Sequence, residues 1–418
     1  MPLNLRNFPT TSHPVNMIDQ SKARRLTLEQ QFDWGKEKLP LEKCLGRALR
    51  EDIMADRPQP PFNRVTMDGI AIDYSRYAQG QRFFSISGLH AAGDAPKALK
   101  DSAKCLEIMT GAALPNGYTT VIRYEDLTAR EGGFQLPEDV KDNKNIHVAG
   151  SDLPMSEQPV IRSGTKITPG AIGALATFGY DRLKVSKLPR VAVVSTGNEL
   201  VAVSKKNPAE HQIRRSNIYQ LATLLAKEKI EVSLHHFEDD QKTLERGIQE
   251  LIRQHHIVIF SGGVSKGKLD FLPEVFEKLG IRKLFHGVAQ RPGKPLWVGR
   301  TDGCMVFGLP GNPISSLACL LLYVGPFIRK NLGLQSPETR KISLGKSHRF
   351  VPDLDLALAV SLEVDGFGSD DAAMPVESQG SGDALSLLRT DGFLLLPRGK
   401  KRYEAGRRYE YLPIDRLF

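Results

Sequence analysis

With 418 residues, 40% hydrophobic and 25% charged, the chain is long enough for several domains and has the balance of an ordinary globular protein. No apolar run reaches the roughly 18 residues of a membrane span, and the opening MPLNLRNFPTTSHPVNMIDQ lacks the apolar stretch of a secretory signal. The formal charge is +9, but the basic residues are scattered and no RRM, KH or zinc-finger pattern accompanies them, which argues against nucleic acid and leaves either a solvated basic surface or a small anionic substrate.

Residues 17–57 are expected to be helical, in the runs MIDQSKARRLTLEQQFDWGKEK and LPLEKCLGRALREDI, up to the PQPP break that begins at Pro58. Residues 58–144 change character. Short apolar runs such as RFFSISG, KCLEIMTG and TTVIRYEDLTA alternate with Gly and Pro turns, as in a small β-rich insert. Residues 145–186 carry a second helical run with Pro169 in its first turn. This piece is expected to rejoin the first, making a split, elongated N-terminal domain.

Residues 187–335 alternate strands and helices: RVAVVSTG, SNIYQLATLLAKEK, EVSLHHF, KTLERGIQELIRQH, IVIFSGG, FLPEVFEKLG, two strands in KPLWVGRTDGCMVFGLPG, then the long helix NPISSLACLLLYVGPFIRKNLG. That order predicts an α/β domain with a mostly parallel sheet. Residues 336–418 return to strands, predicting a small C-terminal β domain. Cys44, Cys105, Cys304 and Cys319 lie far apart with no CxxC, which argues against a zinc site or disulfide scaffold and fits the cytoplasm.

The chemistry is expected at three loops of the α/β domain, VVSTGNEL, FSGGVSKGKLD and FGLPGNPISS. Each follows a buried strand, and in an open parallel sheet ligands bind beyond the carboxyl ends of the strands. Glycines let the backbone approach closely, and helix N-termini offer N–H groups to an anion. AQRPGKPLW adds Arg291 and Lys294, either a pair of cations for an oxyanion or phosphate, or an exposed basic turn. Carboxylates stand at the same strand ends: Glu199, Asp239, Asp240 and Asp270. They make sense beside an anion if Mg²⁺ bridges them to phosphate oxygens, and equally as helix caps. Outside this domain, Asp68 in MDG and Thr110 in MTG are hydrogen-bonding candidates or plain hairpin turns.

In order, LPLEKCLGRALREDI, PPFNRVTMDGIA, IMTGAALPNG, VVSTGNELV, IRRSNIYQL, SGGVSKGKLD, RPGKPLWVG and GLPGNPISS resemble the molybdopterin molybdenumtransferase family, which includes the gephyrin E domain. The resemblance implies molybdenum insertion into adenylylated molybdopterin, from molybdate, with Mg²⁺-dependent release of AMP. It implies the split domain, the insert, a molybdopterin-binding-like α/β domain and a barrel-like C-terminal domain. It also implies a homodimer whose active site lies at the subunit interface, with a molybdopterin adenylyltransferase as the upstream partner.

Carried over to this chain, Asp239 and Asp270 match the acidic positions that would hold Mg²⁺, and Lys294 a catalytic cation. Ser265, Arg291, Pro292, Pro295 and Ser315 match positions lining the substrate pocket, and Asp68, Thr110, Asp152 and Glu199 match further site positions. The chain departs from the family pattern at Arg291, where lysine is usual, and at Arg215, where aspartate is common. It departs also at Asn63, Ile70, Lys266 and Lys268. A non-catalytic carrier of molybdopterin is the alternative reading. The adenylylating enzyme, which shares the α/β domain, is disfavoured by the flanking domains.

Overall fold

The computed structural model describes residues 17–265, 271–336, 339–363 and 372–417. The chain divides into two compact units, one of Met1–Glu51, Ser163–Pro169 and Arg182–Phe418, the other of Asp52–Arg162 and Gly170–Asp181.

In the first unit, Gln20–Leu28 is the helix expected near the start. The second expected helix, LPLEKCLGRALREDI, does not form. Lys36–Pro40 is instead a strand paired antiparallel with Arg182–Ser186, followed by a single tight turn at Leu41–Lys43 and by Gly46 at φ +78°. Ala48 bridges Lys166, and Leu49 bridges Val185. Helix-favouring Leu, Glu, Lys and Ala lose here to pairing with a distant segment, because propensity is a weak prior against tertiary burial. Leu49 is fully buried, and Arg47, also buried, donates to Glu37 Oε1 at 2.5 Å and to the Ser186 carbonyl at 2.6 Å.

The α/β sheet holds β1 (Val191–Thr196), β2 (Val232–Phe237), β3 (Ile257–Ser261), β4 (Arg282–His286), β5 (Trp297–Arg300) and β6 (Met305–Leu309) in the order β2-β1-β3-β6-β5-β4. The first four run parallel, while β5 is antiparallel to β6 and β4 to β5. Every residue of β1, β3 and β6 is buried, as continuous apolar runs require when both faces are covered. Alternation of side chains divides them between two layers. Val191, Val193, Ile257, Ile259 and Phe307 pack with α1 (Asn217–Lys227) and the long helix starting at Pro313. Ala192, Val194, Val258, Phe260 and Val306 pack with α2 (Gln241–Gln254) and α3 (Leu272–Lys278). The long helix runs through Pro313–Cys319 and Gly325–Asn331 with a π turn at Leu320–Val324 between them. Pro326 follows that turn and has no N–H to continue the regular ladder.

C-terminal strands Lys341–Leu344, Asp355–Glu363, Ala372–Pro375, Gly392–Leu396 and Arg408–Pro413 close into a small barrel, since Asp355–Glu363 pairs with both Ala372–Pro375 and Gly392–Leu396. Gln290–Arg291 adds to it, pairing with Asp355 and Leu356. The architecture is thus multidomain, with a split N-terminal domain, a β-rich insert, an α/β domain and a barrel-like C-terminal domain.

The second unit is built on a six-stranded sheet, in the order Thr120–Arg123, Gly69–Ile72, Lys104–Ile108, Phe83–His90, Gly133–Gln135 and Thr128–Arg130. Its two arms run side by side where Ile53 bridges Ile161 and Gln59 bridges Leu153. No helix among the described residues is long and apolar enough to cross a membrane.

Candidate functional site

From β1 the chain passes through α1 on one face of the sheet, and from β3 through α3 on the other. The carboxyl ends of these adjacent strands therefore open a crevice, the usual ligand site of a doubly wound sheet. A cleft of about 620 Å³ lies there. Its walls come from the three expected loops: Thr196 at the end of β1 with Gly197 and Glu199 after it, Gly262–Ser265 after β3, and Pro310–Asn312 after β6. Arg215–Asn217 at the start of α1, Asp239 after β2 and Pro295 complete the α/β contribution.

The glycines are required by shape. Gly262 and Gly263 have φ of +104° and +69°, a region L side chains rarely enter. A Cβ on Gly263 would stand 2.8 Å from both Thr196 Oγ1 and Leu272 Cδ1. Asn217, the first residue of α1, ties the crevice together. Its Nδ2 donates to Ser261 Oγ at 3.0 Å and to the Gly311 carbonyl at 2.6 Å, fixing the start of α1 to two of the loops.

The paired aspartates have separate roles. Asp240 caps α2, its Oδ2 accepting from Thr243 N at 2.8 Å, and these bonds from Thr243 hold its carboxyl below the usual range. Asp239 instead lines the cleft, with its N–H on Asn198 Oδ1 at 3.1 Å. Beside it, His236 Nδ1 lies 3.0 Å from Ser195 Oγ. Burial first, and the Arg215 charge second, push the His236 pKa down.

Ser265 lines the cleft. Asp270, with Lys266 and Lys268, lies outside the described residues. Arg291 and Pro292 line a different cleft, about 810 Å³, between the RPGKP turn and the barrel, together with Lys346, His348, Arg349 and Arg389. Lys294 is exposed on that turn. Ser315 is buried in the first turn of the long helix, 3% exposed, and lines neither cleft. Gly382 and Ala384 of the barrel domain reach the first cleft. The sequence reading missed them, because SQGSGDA carries only a turn signal and the contact is tertiary.

The second unit holds the remaining candidates. Asp68 Oδ1 accepts from Thr110 N at 2.6 Å, and this backbone bond, with one from the Thr110 hydroxyl, lowers the Asp68 pKa. Asp152 Oδ1 lies 2.7 Å from His147 Nε2, whose Nδ1 lies 3.0 Å from Arg64 Nη2. His147 had drawn no attention in the sequence, since a single histidine five residues from an aspartate carries no pattern.

Among the described residues no group of three His, Cys, Asp or Glu side chains could hold a metal by itself. Mg²⁺ seldom uses such a cage. It takes one or two carboxylates and completes its shell with water and substrate phosphate, so a cleft offering Asp239 and Glu199 suits it.

Comparison with known proteins agrees along the chain. The family described as MoeA N-terminal region (domain I and II) matches residues 18–179. "Probable molybdopterin binding domain" matches 192–330, and MoeA C-terminal region (domain IV) matches 365–414. A Synechocystis molybdopterin molybdenumtransferase is 36% identical over 93% of this chain and 98% of its own length. One from Staphylococcus aureus is 32% identical over 94% of each. Among solved structures, two of the molybdopterin biosynthesis moeA protein from Pyrococcus horikoshii superpose with TM-scores of 0.78 and 0.79 at 28% and 24% identity. Both cover 95% of this chain, and the matches span 99% and 100% of theirs. On the matched regions, the length of the alignments and the shared fold together, this chain belongs to the molybdopterin molybdenumtransferase family.

Proposed function

We propose that the chain is a molybdenum insertase, which takes adenylylated molybdopterin and molybdate, transfers molybdenum to the dithiolene and releases AMP. The observation that carries this reading is the cleft at the β1–β3 crevice, where glycine turns and a helix N-terminus that suit an anion meet the carboxylates Asp239 and Glu199. A carboxylate in an anion pocket is unfavourable unless a cation stands between them. Mg²⁺, held by Asp239 together with Asp270, would neutralise charge on the phosphate as the anhydride breaks.

The chain's own residues bind and orient. The Gly262–Ser265 turn and the start of α1 line the cleft, and a glycine turn and a helix N-terminus suit phosphate oxygens. Asn217 holds those elements in fixed relation, so rate enhancement comes from positioning and preorganised charge rather than from a protein nucleophile. The cleft lined by Arg291, with the nearby Lys294, is read as the approach for molybdate. The reading includes a homodimer in which the insert of one chain, with Asp68, Thr110 and Asp152, faces the α/β domain of the other. A molybdopterin adenylyltransferase supplies the substrate, and the location is cytoplasmic.

The test combines purified protein, adenylylated molybdopterin, Mg²⁺ and molybdate, with AMP and active cofactor measured. Release of both is expected. Tight substrate binding with no AMP would replace the insertase by a carrier.

A further inference from the structure

Beneath the RPGKP turn lies a buried polar cluster set into the main apolar core, to which Tyr323 and Cys319 belong. Gln290 and Tyr323 are each 1% exposed. The Gln290 amide uses its whole hydrogen-bonding capacity. Its Oε1 accepts from the Tyr323 hydroxyl and from Gln20 Nε2, the latter at 3.4 Å. Its Nε2 donates to the Gly293 carbonyl at 3.4 Å and to Cys319 Sγ at 3.6 Å. Two acceptor and two donor positions are all an amide has, so the side chain has one orientation: turned over, its oxygen would face the Gly293 carbonyl. A buried amide and phenol are costly unless every group is paired, and an apolar pair of similar shape would fill this space as well. What the polar pair adds is a fixed geometry.

That geometry belongs to the turn. Gln290 stands directly before Arg291, and the carbonyl it holds belongs to Gly293, directly before Lys294. Gly293 has φ +97°, and a Cβ there would stand 2.5 Å from Cys319 Sγ and 2.6 Å from Gln290 Nε2. The middle of the turn therefore rests on the cluster, while Arg291 and Lys294 are exposed on either side of it. Val288 N closes the turn on the Lys294 carbonyl at 2.9 Å. Tyr323, which anchors the amide, lies in the π turn Leu320–Val324, a device that recurs in helices at functional sites. Above the turn, Arg291, Lys346, Arg349 and Arg389 outnumber Glu377 and Asp383 on the wall of the second cleft, a balance that suits an oxyanion.

We infer that Gln290, locked by Tyr323, is the positioning residue of the RPGKP turn and fixes the spacing at which Arg291 and Lys294 present their charges to a tetrahedral oxyanion. It touches no substrate and acts through the two cations. The inference rests on the reading of this turn as the approach for molybdate and names what sets its geometry.

Cofactor formation by the full chain, with Mg²⁺ present and with molybdate and adenylylated molybdopterin varied in turn, tests it in Gln290→Leu, in Tyr323→Phe and in the double variant. The KM for molybdate is expected to rise on the order of tenfold in Gln290→Leu and by less in Tyr323→Phe, because small misplacements of binding groups cost that much or more. The KM for adenylylated molybdopterin is expected to keep its wild-type value. Each single change strands a buried polar group and lowers the thermal midpoint, and the double variant, lacking both groups, regains part of that loss. Its KM for molybdate is expected to stay raised, which a merely structural role would not produce. Should Gln290→Leu not fold, Tyr323→Phe, which removes a single oxygen, carries the comparison. A molybdate KM unchanged in the folded single variants, a rise shared equally by both substrates, or a return to the wild-type value in the double variant overturns the inference and leaves the insertase reading standing. A wild type whose cofactor formation does not depend on molybdate overturns both.

Discussion

Asp239 and Asp240 are adjacent in sequence and chemically identical, yet the structure gives them different work. Asp240 turns back onto Thr243 and caps α2, whereas Asp239 lines the cleft. Asp240→Ala should therefore lower the melting temperature through loss of the cap and leave AMP release at saturating substrate near the wild-type rate. Asp239→Asn should do the reverse, keeping the melting temperature and losing release. A single pair of melting curves and rate measurements separates the two. The sequence alone left capping and metal binding open for both residues, because either fits an acid at a strand end before a helix. Only the direction each side chain takes decides it.

At the level of elements, the glycine turn after β3 was legible. Four apolar residues running into Ser-Gly-Gly predict a strand followed by a tight glycine turn, and Gly262 and Gly263 adopt the positive φ values such a turn needs. Gly263→Ala is predicted to destabilise the protein by about 1–2 kcal/mol from backbone strain alone. The added methyl would also press on Thr196 Oγ1 and Leu272 and should weaken AMP binding. Urea unfolding with parallel titration reads both effects, and a variant as stable as wild type would contradict the turn's role. The segment LPLEKCLGRALREDI was misread for a physical reason that recurs: its composition favours a helix, but its start pairs with Arg182–Ser186 and its Ala48, Leu49 and Ile53 bridge Lys166, Val185 and Ile161, all distant in sequence. The alternating elements from β1 to the long helix carried no such conflict, because local periodicity and tertiary burial agree there.

Across the whole molecule, the excess of basic charge is spread over the chain, and acidification adds to it. Burial lowers the pKa of His235, His236, His256 and His348. The unfolded chain then binds protons at these sites before the folded one does. Their contribution to stability is complete above the unfolded histidine value of about 6.5 and is lost as pH falls through the lowered folded values. The thermal midpoint is expected to drop as pH is taken from about 7.5 to about 5.5; a flat or rising profile would contradict the lowered pKa of these half-buried rings. At this scale the domain series was readable from texture, as runs of short strands, alternating α/β and terminal strands. The approach of Gly382 and Ala384 to the cleft was not, since it depends on how the barrel domain folds back on the loops after β1 and β3.

The central claim is that a carboxylate at the β1–β3 crevice acts with Mg²⁺ on an adenylate phosphate. The most direct measurement is AMP release from adenylylated molybdopterin in the presence of molybdate, with and without Mg²⁺, by the wild type and by Asp239→Asn. The account predicts Mg²⁺-dependent release by the wild type and a loss on the order of 100-fold or more in a folded variant, the range set by removing one preorganised charge contact. Equal, Mg²⁺-dependent release by both proteins would contradict it.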